Sequence, residues 1–302
     1  MIAASALHGY DRVVDAAVAV AASDACIVRS DMEISNIPNT SRRHFIAAAS
    51  VSTAAALFTP PMLHSSEIES IPDGSTLQPT PSALSLGRSD TAVVFIDPQN
   101  DVLSEKGLSW PLVHESLKEN NTIENMERIF KTAKAQGFEV FISPHYFFPT
   151  DKGWKFNGPL ETDEATSGLF ARKGRLNLDG FEGSGADWLA RFKPYIEDGK
   201  TIVVSPHRVW GPQTNDLVLQ LRKRRISKII LGGMLANMCV ESHLREFLEQ
   251  GFEVAVVKDA TAGPKHPKWG YGYTAALINY AFLAHAVLTT DETVKAMESG
   301  QR

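Results

Sequence analysis

The chain has 302 residues, 43% of them hydrophobic and 22% charged, with a formal net charge of −5. This is a globular composition with room for one large α/β domain or two ordinary ones. Its acidic balance argues against a nucleic-acid binder, and beyond the N-terminal region no uncharged apolar run reaches the ~18 residues of a membrane span. Two cysteines, Cys26 and Cys239, are too few for a disulfide framework and sit in unlike surroundings, an alanine-rich leader and a well-patterned segment.

Residues 41–46 read Ser-Arg-Arg-His-Phe-Ile and precede the apolar run Ala47 to Phe58. The Arg42-Arg43 pair ahead of a short, weakly hydrophobic segment resembles a twin-arginine export signal, too short for a transmembrane helix. Residues 1–63 are therefore expected to be a leader that sends the protein to the periplasm or outside the cell. Residues 64–88, rich in Ser, Pro and Thr, read as a linker without core, and 89–295 as the folded domain.

From residue 91 the pattern is regular. Thr91–Asp97 is a continuous apolar run ending in a carboxylate, as a buried parallel strand would be. Residues 121–136 carry Ile123, Met126, Ile129, Phe130 and Ala133 at helical spacing, with Gly137 as the stop. Phe138–Ser143 and Thr201–Ser205 read as the next strands. A helix is predicted over 213–225, its basic end at Arg222–Arg225 suiting the negative pole of the helix dipole. Then come a strand at Lys228–Leu231, a turn at Gly232-Gly233, a helix over 237–250, a strand at Glu253–Lys258, a helix over 273–283 and a sixth strand at Ala286–Thr289.

Strands separated by helices imply a three-layer α/β/α fold with a mainly parallel six-stranded sheet, whose ligands bind beyond the carboxyl ends of the strands. Asp97, His145, the 205–212 turn, Cys239 and Asp259 all fall at or just after strand ends, so they converge on one edge. Residues 146–200 break the rhythm. They hold Tyr146, Phe147, Phe148, Trp154 and Phe156 and one helical stretch near 184–196, and read as a lid or an oligomer contact.

Cys239 stands near the first turn of its helix, with Asn237 as N-cap candidate. There, unpaired N–H groups and the helix dipole favour a thiolate and can receive an oxyanion. The alternative reading is a small buried hydrophobe.

The segment Gly233-Met-Leu-Ala-Asn-Met-Cys-Val-Glu-Ser-His resembles the motif of the isochorismatase-like cysteine hydrolases, as does Asp97-Pro98-Gln99-Asn100-Asp101 at the close of the first strand. The two motifs stand in the family's order, and the likeness runs from about residue 90 to 290. It implies the isochorismatase-like hydrolase fold, Cys239 as nucleophile, Asp97 as its general base, an oxyanion hole from the N–H groups of Leu235 and Cys239, and a cis peptide between Met234 and Leu235. The family's triad lysine is missing after the third strand, where the chain reads Ser205-Pro206-His207-Arg208. Arg208 is the first stand-in, as a permanent cation beside Asp97, and His207 the second.

Metal-binding relatives place Asp-x-His after the second strand; here Ser143-Pro144 precedes His145 and Asp151 follows, so neither metal nor cofactor is expected. His145, Trp154 and Trp210 are the expected substrate contacts, and Trp110, Tyr146, Phe147 and Trp269 are further aromatic candidates for a flat pocket. The expected activity is hydrolysis of a small-molecule amide through an acyl-enzyme. The alternatives are vinyl ether hydrolysis of the isochorismate type, with a dispensable cysteine, and a non-catalytic binding protein. The insertion and the family resemblance also imply a homo-oligomer.

Overall fold

The computed structural model describes residues 84–300; the twin-arginine segment and most of the linker lie outside the described residues. The strands are β1 (Thr91–Ile96), β2 (Glu139–Ser143), β3 (Ile202–Val203), β4 (Lys228–Met234), β5 (Glu253–Ala262), a short hairpin β6 (Lys265–His266) and β7 (Gly270–Tyr271), and β8 (Ala286–Leu288). The helices are α1 (Asn100–Leu103), α2 (Trp110–Glu119), α3 (Thr122–Gln136), α4 (Pro159–Ser167), α5 (Lys193–Ile196), α6 (Leu217–Lys223), α7 (Glu241–Glu249), α8 (Gly272–Leu283) and α9 (Thr290–Ser299).

Six strands form one parallel sheet in the order β3-β2-β1-β4-β5-β8. Side chains alternate along β1. Val93 and Phe95 pack with Val113, Met126, Phe130 and Met297 from α2, α3 and α9, while Ala92, Val94 and Ile96 pack with Leu221, Leu244, Phe247 and Tyr280 from α6, α7 and α8. The result is the three-layer α/β/α arrangement expected from the sequence. No helix among the described residues is long and apolar enough to cross a membrane.

The chain runs outward from β1 to β2 and β3, then returns to the other side of β1 with β4. That reversal opens a crevice at the carboxyl ends of β1 and β4. Ile96 is registered against Ser143 on one side and Gly233 on the other, and the register of β4 against β5 shifts between Leu231 and Gly233. Gly233 adopts φ +109, and a Cβ there would collide with the backbone of Ile96. Only glycine lets the two strands close at this point.

Several boundaries differ from expectation. The predicted helix over 213–225 starts at Leu217, after a 3-10 turn at Pro212–Thr214. The stretch near 184–196 is helical only at α5. Gly183 takes φ +69, and Asp187 folds its carboxylate back onto the N–H groups of Gly183 (2.7 Å) and Trp188 (2.7 Å), making turns instead. The linker does carry core: Leu86 is buried in the cluster with Met297, and the domain runs on through α9, which Thr289 and Glu292 open as a capping box.

Replacing Gly233 by Ala is expected to destabilise the domain by about 3 kcal/mol or to abolish folding, from backbone strain and the clash with Ile96. A urea unfolding midpoint unchanged in Gly233→Ala would refute this account of the strand junction.

Candidate active site

β1 is followed at once by Asp97, a non-glycine residue with φ +49, whose N–H donates to Ser143 O (3.1 Å) and whose side chain is buried at the head of the crevice. Left-handed backbone outside glycine is uncommon, is tolerated best by Asn, Asp and His, and gathers at functional sites. After β3 the chain reaches His207, pinned by a parallel bridge to His145 and by its N–H to Pro144 O (3.0 Å). His207 Nε2 lies 2.8 Å from Asp97 Oδ1. Beyond β4 the Met234–Leu235 peptide is cis, and Ala236–Val240 forms a wide π turn before α7. That turn presents Cys239. The ligand atoms of Asp97, His207 and Cys239 all lie within 4.8 Å of one another, and all three residues are buried.

The thiol is not the thiolate that a helix start would favour. Burial, then the negative charge and hydrogen bond of Asp97, push the Cys239 thiol well above its ordinary range. Glu164 adds to this, and the Leu235 N–H directed at the sulfur only partly opposes it. Desolvation and a neighbouring carboxylate outweigh the dipole here. The pair is a neutral thiol beside a proton acceptor.

Two further histidines flank this group. The His145 ring sits 4.9 Å from that of His207, edge-on, and its Nε2 faces Glu164 Oε2 at 3.4 Å; both residues are buried. Burial disfavours the charged imidazolium, but the facing carboxylate of Glu164, with the charge of Asp97, leaves the pKa of His145 above its usual value. Glu164 comes from α4 in the insertion, a short helix with four polar side chains in a row at 161–164 and no periodicity to single it out. His243 packs edge-on against His207 and bonds Ser143 Oγ (2.9 Å) and Cys239 O (2.7 Å). Burial and the proximity of His207 hold its pKa well below the usual range, keeping it neutral.

The other sequence candidates distribute differently. Arg208, the first stand-in for the missing lysine, does not meet Asp97. Its guanidinium pairs with Asp151, donates to Tyr146 O (3.0 Å) and stacks on Phe148 and Trp154. The neighbouring His207 takes the Asp97 contact instead. Trp154 accordingly packs between Phe147 and Arg208, whereas Trp210 packs against the cluster that contains Cys239. Trp110 begins α2, and Trp269 is 74% exposed on the β6–β7 hairpin. Asp259 lies inside β5 and accepts from Thr290 N (2.7 Å) and Thr290 Oγ1 (2.8 Å) at the start of α9, a structural duty. Asn237 is no N-cap: the extended residue before the turn is Leu235, and Asn237 Oδ1 is buried without a hydrogen-bond partner.

The rest of the first motif anchors the insertion. Gln99 exchanges bonds with the His145 backbone (2.9 Å each way) and donates to Ala186 O (2.8 Å). Asn100 reaches Ser184 O (2.8 Å), and the buried Asp101 carboxylate accepts from Phe170 N (2.6 Å). A cavity of about 460 Å³ opens beside Asn100, Asp101 and Lys106; Asp97, His207 and Cys239 do not line it.

Alkylation of Cys239 by iodoacetamide tests the electrostatics. A raised thiol pKa means the protonated form persists through neutral pH, so labelling should stay slow there and climb only above the ordinary thiol range near 8.5. Removing the charge in Asp97→Asn should move that rise to lower pH. A wild-type midpoint below that of a free thiol would contradict the burial argument.

Comparison with known proteins shows the family and the fold. The model of the isochorismatase domain matches residues 91–292. A ureidoacrylate amidohydrolase of Variovorax paradoxus is 27% identical over 201 residues, covering 63% of this chain and 75% of its own length. An uncharacterised isochorismatase family protein of Bacillus subtilis is 43% identical over 78 residues, 25% of this chain and 40% of its own. Among solved structures, a cysteine hydrolase from Pseudomonas syringae pv. phaseolicola superposes with a TM-score of 0.58 at 19% identity, covering 72% of this chain and 96% of its own, which speaks to the fold. With the family model spanning the whole sheet from β1 to the start of α9, the chain belongs to the isochorismatase family.

Proposed function

We propose that this protein hydrolyses a small-molecule amide through a covalent acyl-enzyme on Cys239, with ureido or carbamoyl compounds as the first substrate class to try. The chain is a hydrolase of C–N bonds other than peptide bonds, in keeping with its ureidoacrylate amidohydrolase relatives. The observation that carries the finer reading is the buried convergence of Asp97, His207 and Cys239 within 4.8 Å.

In this reading Asp97 takes the thiol proton as Sγ attacks the carbonyl carbon, so the neutral resting thiol is converted only when substrate is present. The negative charge developing on the carbonyl oxygen is received by the N–H groups of Leu235 and Cys239. The tetrahedral intermediate collapses, Asp97 returns the proton to the departing amine, and a thioester remains. Water then attacks, Asp97 accepting its proton, and the acid is released with the thiol restored. His207, 2.8 Å from the carboxyl oxygen, is a positioning residue that holds Asp97 toward the sulfur. His145 and Trp210 are the substrate contacts in this scheme, while Arg208 and Trp154 brace the insertion.

A panel of ureido and carbamoyl amides, with Cys239→Ala as blank, tests the reading. Cys239→Ala and Asp97→Asn should each lower kcat/KM by about 1,000-fold or more, as losses of a nucleophile and its base do. Turnover that survives in Cys239→Ala would remove the acyl-enzyme and favour chemistry in which no thioester forms.

A further inference from the structure

The same three side chains are also a set of metal donors. A carboxylate oxygen, an imidazole nitrogen and a thiol sulfur meet in a buried site, and all pairs of donor atoms are within 4.8 Å. Zinc holds such ligands at about 2.0–2.3 Å, which sets donor atoms roughly 3.3–3.8 Å apart in a tetrahedron. Side-chain rotations of about 1 Å, drawing the wider donor pairs in and opening the 2.8 Å contact between Asp97 Oδ1 and His207 Nε2, would fit the present arrangement to an ion. Three protein donors with one open position is the ligand count of an accessible zinc site, and a thiolate with an imidazole selects zinc over the hard cations.

The surroundings favour a cation. Glu164 lies close enough for its charge to act on the cysteine, alongside that of Asp97. The guanidinium of Arg208, next in the chain to His207, is engaged by Asp151. Coordination through His207 Nε2 exchanges its 2.8 Å contact with Asp97 Oδ1 for a bond to the metal and moves the ring proton to Nδ1, which is buried without an acceptor, a cost that the metal bond must outweigh.

We propose that Asp97, His207 and Cys239 form a thiophilic divalent-cation site and that Zn2+ bound there silences the nucleophile. On binding, the sulfur exchanges its proton, released to water, for a bond to the metal; no electron is transferred. Zinc and an acylating substrate then compete for one sulfur atom. The site itself rests on geometry and holds whether or not the hydrolase reading does.

The test uses the full chain with Cys26→Ser, so that Cys239 is the sole thiol. Equilibrium dialysis with Zn2+ should give one tight equivalent. Co2+ should give a thiolate charge-transfer band in the near ultraviolet, and equimolar Zn2+ should block alkylation of Cys239 at high pH. His207→Lys, which puts an ammonium where the imidazole stood, and Asp97→Ala should each lose the band and weaken Zn2+ binding by about 100-fold or more, beyond what losses around a site's ligands cost. Circular dichroism melts confirm that the variants are folded, and Cys239→Ser serves as a third variant that removes the sulfur alone. A tight equivalent that persists in all three variants, or the absence of a cobalt–thiolate band in the parent, would overturn the proposal. Amide turnover enhanced by Zn2+ would overturn both the silencing and the acyl-enzyme. Zinc binding in a chain that hydrolyses no amide would leave the site standing and remove only the hydrolase reading.

Discussion

The structure depends on the close approach of β4 to β1 where Gly233 passes Ile96. A parallel sheet can bring two strand ends side by side only if nothing stands between their backbones, and a single Cβ at residue 233 would stand there. Because the strand order reverses at this junction, the chain leaving β1 and the chain leaving β4 turn away to different connections and leave space above. Asp97 and Cys239 are 142 residues apart in sequence and meet because of that junction.

Burial then decides what the pair can do. A thiol at a helix start in water would lean toward the thiolate. Here the wide turn carries it into a desolvated crevice beside one carboxylate and within reach of a second, and the balance tips the other way. A thiol held protonated in this way reacts slowly with stray electrophiles at neutral pH. The neighbouring histidines are tuned apart by the same low-dielectric surroundings. His145 is drawn toward its charged form by Glu164, while His243 is held neutral between a backbone carbonyl and a serine hydroxyl.

Much of this was legible in the chain. The apolar run ending at Asp97, the glycine pair before Met234 and the cysteine beyond it marked both halves of the site, because buried strands and tight turns each leave a local composition. The partner of Asp97 was harder to read. His207 and Arg208 are adjacent, and which of two neighbours points inward depends on a register set by the bridge between His145 and His207, a tertiary contact. Glu164 could not be found from sequence, since its helix has carboxyl groups at 161, 163 and 164 and no apolar face to orient it. Asn237 was misread as a cap because a π turn satisfies its backbone differently from an α-helix start. Asp259 misled through length, as β5 runs on to Ala262 and carries the carboxylate away from a strand end.

The ties made by Gln99, Asn100 and Asp101 have a consequence for how such a domain diversifies. These residues directly follow Asp97, and they hold the segments around His145, Phe170, Ser184 and Ala186 by main-chain bonds that read backbone position and are indifferent to side-chain identity. The insertion can therefore change its surface chemistry residue by residue while its path stays constant. A lineage built on this plan can edit the insertion freely while β1 and the residues at its end stay untouched.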